Sequence, residues 1–339
     1  TRYHEQPGKT FDEQPAYFQL PYAVTKRWKL RDDPTKLREE VVLTRFDEHG
    51  NSVLESEPAA PKYDANQRID EASTLATTLF KVRTWYPAAG EPSDEPDAPT
   101  PWNCPPDPYG FSRHLRTDTA HPLAEAQPGA QTLSTHYRYQ ALGVVASSSS
   151  PPGLLMVKEE QAQITGQQRA TLQVTHYRYL DKPDVALLHG RLETRVHSVG
   201  GLETTVCHQY EKDPKVGHHV LQTIQTITGF DHGTTLPDGS VRDACKTLTR
   251  RESVLIGQPL LDRDDNDVEI AYEYDALRRV IKETVAPNDP EFTSSRRYAY
   301  TLVSQAGGRA DPDRCQECGY TQLGRWPESR GQPRTSGRR

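Results

Sequence analysis

Three groups of residues in this 339-residue chain have the types and spacing that could do chemistry. Cys315-Gln316-Glu317-Cys318 has the spacing of half a structural zinc site. Such a site needs four ligands, usually a second close pair. Cys104, Cys207 and Cys245 stand apart in sequence, and no histidine follows His232, so these cysteines read as incidental. His218-His219, with His208 and His232, offers imidazole nitrogens. No helical carboxylate–histidine motif accompanies them, and they read as surface or edge-strand histidines. The acidic run Asp262-Arg263-Asp264-Asp265-Asn266-Asp267 invites a calcium reading. It lacks the central glycine and the twelfth-position glutamate of a helix-loop-helix calcium loop, and reads as a solvated hairpin turn. No phosphate-cradling glycine loop or nucleophile elbow is present. The expectation is a protein that is not an enzyme and holds no cofactor or metal.

What recurs instead is a pair of aromatic residues two apart, followed by a polar turn. One copy runs Thr44-Arg45-Phe46-Asp47-Glu48-His49-Gly50-Asn51-Ser52-Val53-Leu54. Another is His136-Tyr137-Arg138-Tyr139-Gln140-Ala141-Leu142-Gly143-Val144-Val145. A third, His176-Tyr177-Arg178-Tyr179, has a longer loop before Gly190-Arg191-Leu192. The fourth is Tyr272-Glu273-Tyr274-Asp275-Ala276-Leu277-Arg278-Arg279-Val280, and Tyr298-Ala299-Tyr300 opens a fifth. Residues two apart share one face of a strand, so each pair presents two rings to one side. Asp47 and Asp275 can accept from backbone amides beyond them and set a turn. Gly50 and Gly143 can supply positive φ there at little cost, whereas Arg278 in that place costs about 1 kcal/mol. Each cassette predicts a β-hairpin, and their repetition predicts an extended β-array in which rings pack on neighbouring hairpins. Aromatic rows can also stack sugars, which keeps a carbohydrate- or cell-surface-binding module as the alternative.

The elements that must position these residues are strands. Apolar residues make up 34% of the chain, and 27 prolines oppose long helices. A single thick core is excluded; thin sheets remain. Val220–Thr228 and Thr247–Thr249 read as strands, Thr194–Cys207 as two strands about Gly200-Gly201, and Ser253–Ile256 as strand ending at Gly257. The best helix candidate is Asp64–Phe80. Ten of the 27 prolines lie between Pro87 and Pro128, predicting an irregular surface loop, and Ser147–Gly153 predicts a second. Beyond about Gly307 the pattern fails; the tail reads as disordered or as sequence out of frame. The segments are thus 1–83, a β-rich start with one hairpin; 84–131, proline-rich; 132–305, hairpin repeats; and 306–339, the tail.

A net charge of −6 gives no basic footprint for nucleic acid. No stretch approaches the roughly 20 apolar residues of a membrane span, and no signal peptide opens the chain. Five scattered cysteines suit folding in a reducing compartment. Opening on Thr1, the chain reads as a piece of a longer or processed polypeptide, and a strip with unpaired edges is expected to aggregate in isolation.

On these cassettes the chain resembles the YD-repeat, or Rhs, family, including the B and C components of bacterial insecticidal toxin complexes. The family repeat is roughly Tyr-x-Tyr-Asp-x-x-Gly-Arg-hydrophobic, and Tyr272–Val280 matches it except at the glycine, with Arg279 in the arginine place. Trp102-Asn103-Cys104-Pro105-Pro106-Asp107-Pro108-Tyr109-Gly110-Phe111 resembles a Cys-Pro-x-Asp-Pro-x-Gly-Phe segment found upstream of the repeats in the toxin-complex branch. The resemblance covers most of residues 40–305. It implies an all-β sheet strip of antiparallel hairpins that forms part of a hollow shell. The implied partners are the rest of that shell and an encapsulated effector polypeptide. It also implies synthesis in a bacterial cytoplasm and delivery outside the cell within a larger toxin. Asp107-Pro108-Tyr109-Gly110 is superficially similar to half of the family's self-cleaving aspartyl pair, but its upstream placement carries no catalytic role over.

Overall fold

The computed structural model describes residues 1–300 apart from 7, 30, 32, 34–36, 95–100, 122–130, 146–152, 166–169, 213–218, 230–233, 236, 238, 240 and 243. The tail, with Cys315, Cys318 and Asp311-Pro312, lies outside the described residues, as do His218, His232 and most of the Ser147–Gly153 loop. The chain divides into two compact units, Thr1–Val206 and Cys207–Arg339.

The first unit is an antiparallel meander. Its strands are β1 (Arg2–Tyr3), β2 (Pro21–Lys29), β3 (Leu37–Phe46), β4 (Ser52–Ser56), β5 (Phe80–Trp85), β6 (Glu91–Pro92) and β7 (Trp102–Cys104). They continue with β8 (Leu115–His121), β9 (Thr132–Leu142), β10 (Leu154–Thr165), β11 (Ala170–Tyr179) and β12 (Leu192–Val199). Each pairs with the next, except that β6 and β7 form a side hairpin and β5 pairs directly with β8. After Gly200 and Gly201, both at positive φ, the chain enters β13 (Leu202–Lys212).

The second unit repeats the plan with β14 (Val220–Thr228), β15 (Thr234–Thr235), β16 (Val241–Arg242), β17 (Cys245–Ser253), β18 (Pro259–Arg263), β19 (Glu269–Tyr274), β20 (Val280–Val285) and β21 (Ser294–Arg297). Here β15–β16 is the side hairpin, and β14, β17, β18, β19, β20 and β21 pair in that order, all antiparallel. The fold is all-β, as the cassettes require.

Burial matches the low apolar content. Only twelve hydrophobic residues are buried among the described ones, so each unit is a sheet with local clusters and no thick core. One cluster is Ala23, Val41 and Leu43, covered by Tyr22, Ile69 and Leu75; the other is Tyr86, Cys104 and Tyr139, flanked by Tyr137, Leu155 and Val157.

Several expectations change. The helix predicted over Asp64–Phe80 shrinks to Glu71–Leu75 (α1), capped by Asp70, whose side chain accepts from the Ser73 amide at 3.1 Å. Residues ahead of it form a tight turn, and Phe80 starts β5. The proline-rich stretch is not simply surface loop, because the chain between its prolines supplies β8, central to the sheet, and buries Asn103, Cys104 and Asp107. Prolines are absent from β8 itself, so its ladder donors are intact. Val254–Ile256 form the loop between β17 and β18, with Leu255 66% exposed and the Gly257 amide closing on the Ser253 carbonyl at 2.8 Å. Three apolar residues in a row could not tell a strand from a hairpin tip.

Gly143 also departs from its expected role. It lacks positive φ, and β9 runs on through Gln140 to Leu142, which pairs with Leu154. After Tyr139 comes Gln140 instead of aspartate, so no carboxylate gathers the amides that would turn the chain.

Candidate functional site

The turns come first, because they fix the register of everything else. At Asp47 and Asp275 one carboxylate oxygen accepts from the amides two and four residues on, at 2.8–2.9 Å. The residue three on, Gly50 or Arg278, has φ of 84° or 62°. The same device recurs at Asp64, Asp107 and Asp264, with Gln67, Gly110 and Asp267 in the left-handed place. The Asp64 turn was missed in sequence although Tyr63-Asp64-Ala65-Asn66-Gln67-Arg68-Ile69 carries the signal; Tyr63 and Ile69 form a β-bridge across it. Of the Asp262–Asp267 run, Asp264–Asp267 form the expected hairpin turn, while Asp262 and Arg263 end β18. Three of the five turns hold a non-glycine residue in the left-handed region, each at a cost of about 1 kcal/mol. The third cassette closes differently: Gly190, φ 76°, bonds Leu180, and Leu180 bonds back to Arg191, whose Nε donates to the Leu187 carbonyl at 2.6 Å.

Between the turns, the tyrosines meet partners that sequence reasoning did not find. In the first unit a polar row crosses consecutive strands on one face. Arg83 of β5 contacts Glu55 of β4 at 2.9 Å and Asp118 of β8 at 3.3 Å. Asp118 faces Thr135, two residues before Tyr137 in β9; Tyr137 faces Glu160 of β10. Tyr177 of β11 lies near enough to Glu160 to feel its charge and stands opposite Arg195 of β12. The second unit carries the same order. Arg250 of β17 binds Asp262 of β18 at 2.7 Å; Tyr272 of β19 lies near enough to Asp262 to feel its charge and faces Glu283 of β20. Tyr298, just past β21, donates to Glu283 at 2.8 Å. Arg–Asp–Tyr–Glu–Tyr thus recurs, across five paired strands in the first unit and across four and the residue just past β21 in the second. Burial first, and the neighbouring carboxylates second, raise Tyr137, Tyr177 and Tyr272 above the usual tyrosine value.

The second tyrosine of each pair does a different job. Tyr139 Oη donates to the Leu115 carbonyl at 3.0 Å, Tyr179 to Val157 at 2.9 Å, Tyr274 to Pro259 at 2.6 Å and Tyr300 to Val280 at 2.9 Å. Every acceptor sits beside a register shift, where a ladder carbonyl would otherwise lack its partner. Each acceptor also lies three residues before the acid of the row: Leu115 and Asp118, Val157 and Glu160, Pro259 and Asp262, Val280 and Glu283. That spacing was the signal available in sequence. Phe46, the aromatic of the first cassette, lacks a hydroxyl and instead packs edge-on to His4 at 5.7 Å. Arg279 pairs with Asp275 at 2.7 Å and stacks on Tyr300 at 4.3 Å.

One turn is deeply set. The Asp107 carboxylate, 1% exposed, accepts from the Tyr109 and Phe111 amides, from Arg113 Nε at 2.8 Å and from His114 Nε2 at 2.9 Å. Burial opposes its charge, but these donors outweigh it and hold the group at about 2. Nearby, burial and then the Asp107 and Glu91 carboxylates push the Cys104 thiol up to about 12, which keeps it protonated and unreactive at neutral pH. Tyr86 and Tyr139 meet edge to face at 6.0 Å above it. This arrangement fastens the turn to the sheet and leaves Asp107 no free lone pair with which to attack a bond. Among the described residues no group of three or more His, Cys, Asp or Glu side chains is placed to hold a metal ion, and no helix is long and apolar enough to cross a membrane.

No family model and no curated protein matches the sequence. Among solved structures, 81% of the chain is similar to 14% of a chain in the "Crystal Structure of TcdB2-TccC3", at 13% identity and a TM-score of 0.28. In the "Crystal Structure of TcdB2-TccC3-TEV" 83% of the chain is similar to 20% of a chain, at 12% identity and a TM-score of 0.13. The chain therefore spans a small part of either protein, and likenesses at these TM-scores carry no argument. The architecture rests on the strand register and on the tyrosine contacts described above.

Proposed function

We propose that the chain is a length of wall in a hollow shell of the YD-repeat kind, structural and without catalysis of its own. In this reading it belongs to a larger bacterial toxin that encloses or delivers an effector polypeptide, made in the cytoplasm and carried outside the cell. The observation that supports it is the twofold recurrence of the Arg–Asp–Tyr–Glu–Tyr row with its tyrosine-to-carbonyl latches. Such contacts tie each strand sideways to the one before it, so a sheet can be extended strand by strand without a thick core. Each latch contributes about 1 kcal/mol.

The alternative, a surface binder using the repeat tyrosines, needs their edges free for ligand. Tyr139, Tyr179, Tyr274, Tyr298 and Tyr300 spend their hydroxyls inside the protein. Electron microscopy of the full-length parent protein tests the proposal. A closed or spiralling β-shell around a cavity is expected, with this segment in its wall; a solid particle, or this segment hanging outside a shell, would overturn it.

A further inference from the structure

One cleft contrasts with the wall. It lies in the first unit between the segment around β1, the start of β2, the end of β3 and the start of α1, with a volume of about 400 Å³. That is within the range of small-molecule sites, roughly 300–1,000 Å³. Its lining includes Tyr3, Glu5, Tyr17, Tyr22, Arg45 and Glu71. The floor is His4, whose ring is 5.3 Å from Tyr17, 5.7 Å from Tyr22 and 5.7 Å from Phe46. His4 Nε2 lies 3.2 Å from the Thr44 carbonyl oxygen, which can only accept, so that nitrogen carries the proton.

Two features mark the cleft as a place for a ligand. The hydroxyls of Tyr3, Tyr17 and Tyr22 have no protein partner among the described residues, unlike those of the latches, and the Tyr3 residue is 50% exposed. Arg45 directs both Nε and Nη2 at one oxygen of Glu71, Oε2. Nη1 and Glu71 Oε1 keep a donor and an acceptor without a partner among the described residues. An exposed tyrosine in one cleft with an ion pair that has a donor and an acceptor to spare suits a sugar: the ring stacks on its C–H face, and Nη1 and Oε1 can each meet a hydroxyl.

We infer that this cleft binds a pyranose, as the exposed end of a glycan, through Tyr3 stacking and the Arg45–Glu71 pair. The site is independent of the wall reading and can fail without it. The full chain, fluorescently labelled, is applied to a glycan array, and saturation-transfer NMR follows with the free monosaccharide common to the bound glycans. Glu71→Gln, nearly isosteric, and Tyr3→Ala are each expected to weaken binding about tenfold or more. Tyr109→Ala, an exposed ring elsewhere, is expected to leave it unchanged. Near-ultraviolet circular dichroism checks that Glu71→Gln keeps the native fold. Binding to no glycan, equal loss in Tyr109→Ala, or full binding by Glu71→Gln would each overturn the inference.

Discussion

Replacing Asp107 with asparagine should destabilise the first unit by an amount that depends on pH. Asparagine keeps one oxygen for the Tyr109 and Phe111 amides, but its NH2 group then faces the donors of Arg113 and His114. The size of the effect follows from the carboxyl itself. Its folded pKa of about 2 lies below the ordinary 3.8. At about 1.36 kcal/mol for each unit of pKa, that corresponds to roughly 2–3 kcal/mol of stability. Because the folded value is depressed, this contribution is complete above 3.8 and disappears as pH falls towards 2. For a unit of about 200 residues the expected drop in Tm at pH 7 is roughly 5–10 °C. Thermal melts of the native protein and Asp107→Asn, taken from pH 7 down to pH 2, measure it. Other carboxylates titrate alike in both proteins, so the gap between the two curves isolates Asp107. A gap near zero at pH 7, or one that persists in full at pH 2, would show that the turn is not built on a charged, saturated carboxylate.

Arg278→Gly should raise the stability of the second unit by about 0.5–1 kcal/mol by removing a left-handed non-glycine residue, and Gly50→Ala should lower that of the first by about 1 kcal/mol; urea titrations read both. Tyr86, Tyr137, Tyr139, Tyr177, Tyr179, Tyr272 and Tyr274 all have raised values, with burial the leading cause. Their contribution is complete below the ordinary value of 10.0 and is lost as pH climbs through the folded values, about 12 for Tyr86. Tyrosinate absorbance should therefore rise together with loss of β-structure above about pH 10, and separate, early titration of these tyrosines would contradict the row and latch contacts.

Strand identity and turn chemistry were legible along the chain, because both depend on residues within a few positions of each other. Alternating rings mark a strand, and an aspartate ahead of a left-handed position marks a turn. The same local logic went astray at Gly143 and Val254–Ile256, where the flanking residues suit either strand or loop and the pairing partner decides. It also passed over Tyr63–Ile69, where a turn was absorbed into a supposed helix.

Composition and periodicity by themselves set an all-β chain with little core and rings on one face of its strands. What those rings touch was decided only in three dimensions. Asp118 and Tyr137, or Glu160 and Tyr177, are joined by register across a sheet, and register depends on bulges and loop lengths that no single segment contains. The cleft around His4 is likewise assembled from segments up to about seventy residues apart. Its unpaired hydroxyls stand out only once the latch tyrosines have met their carbonyls.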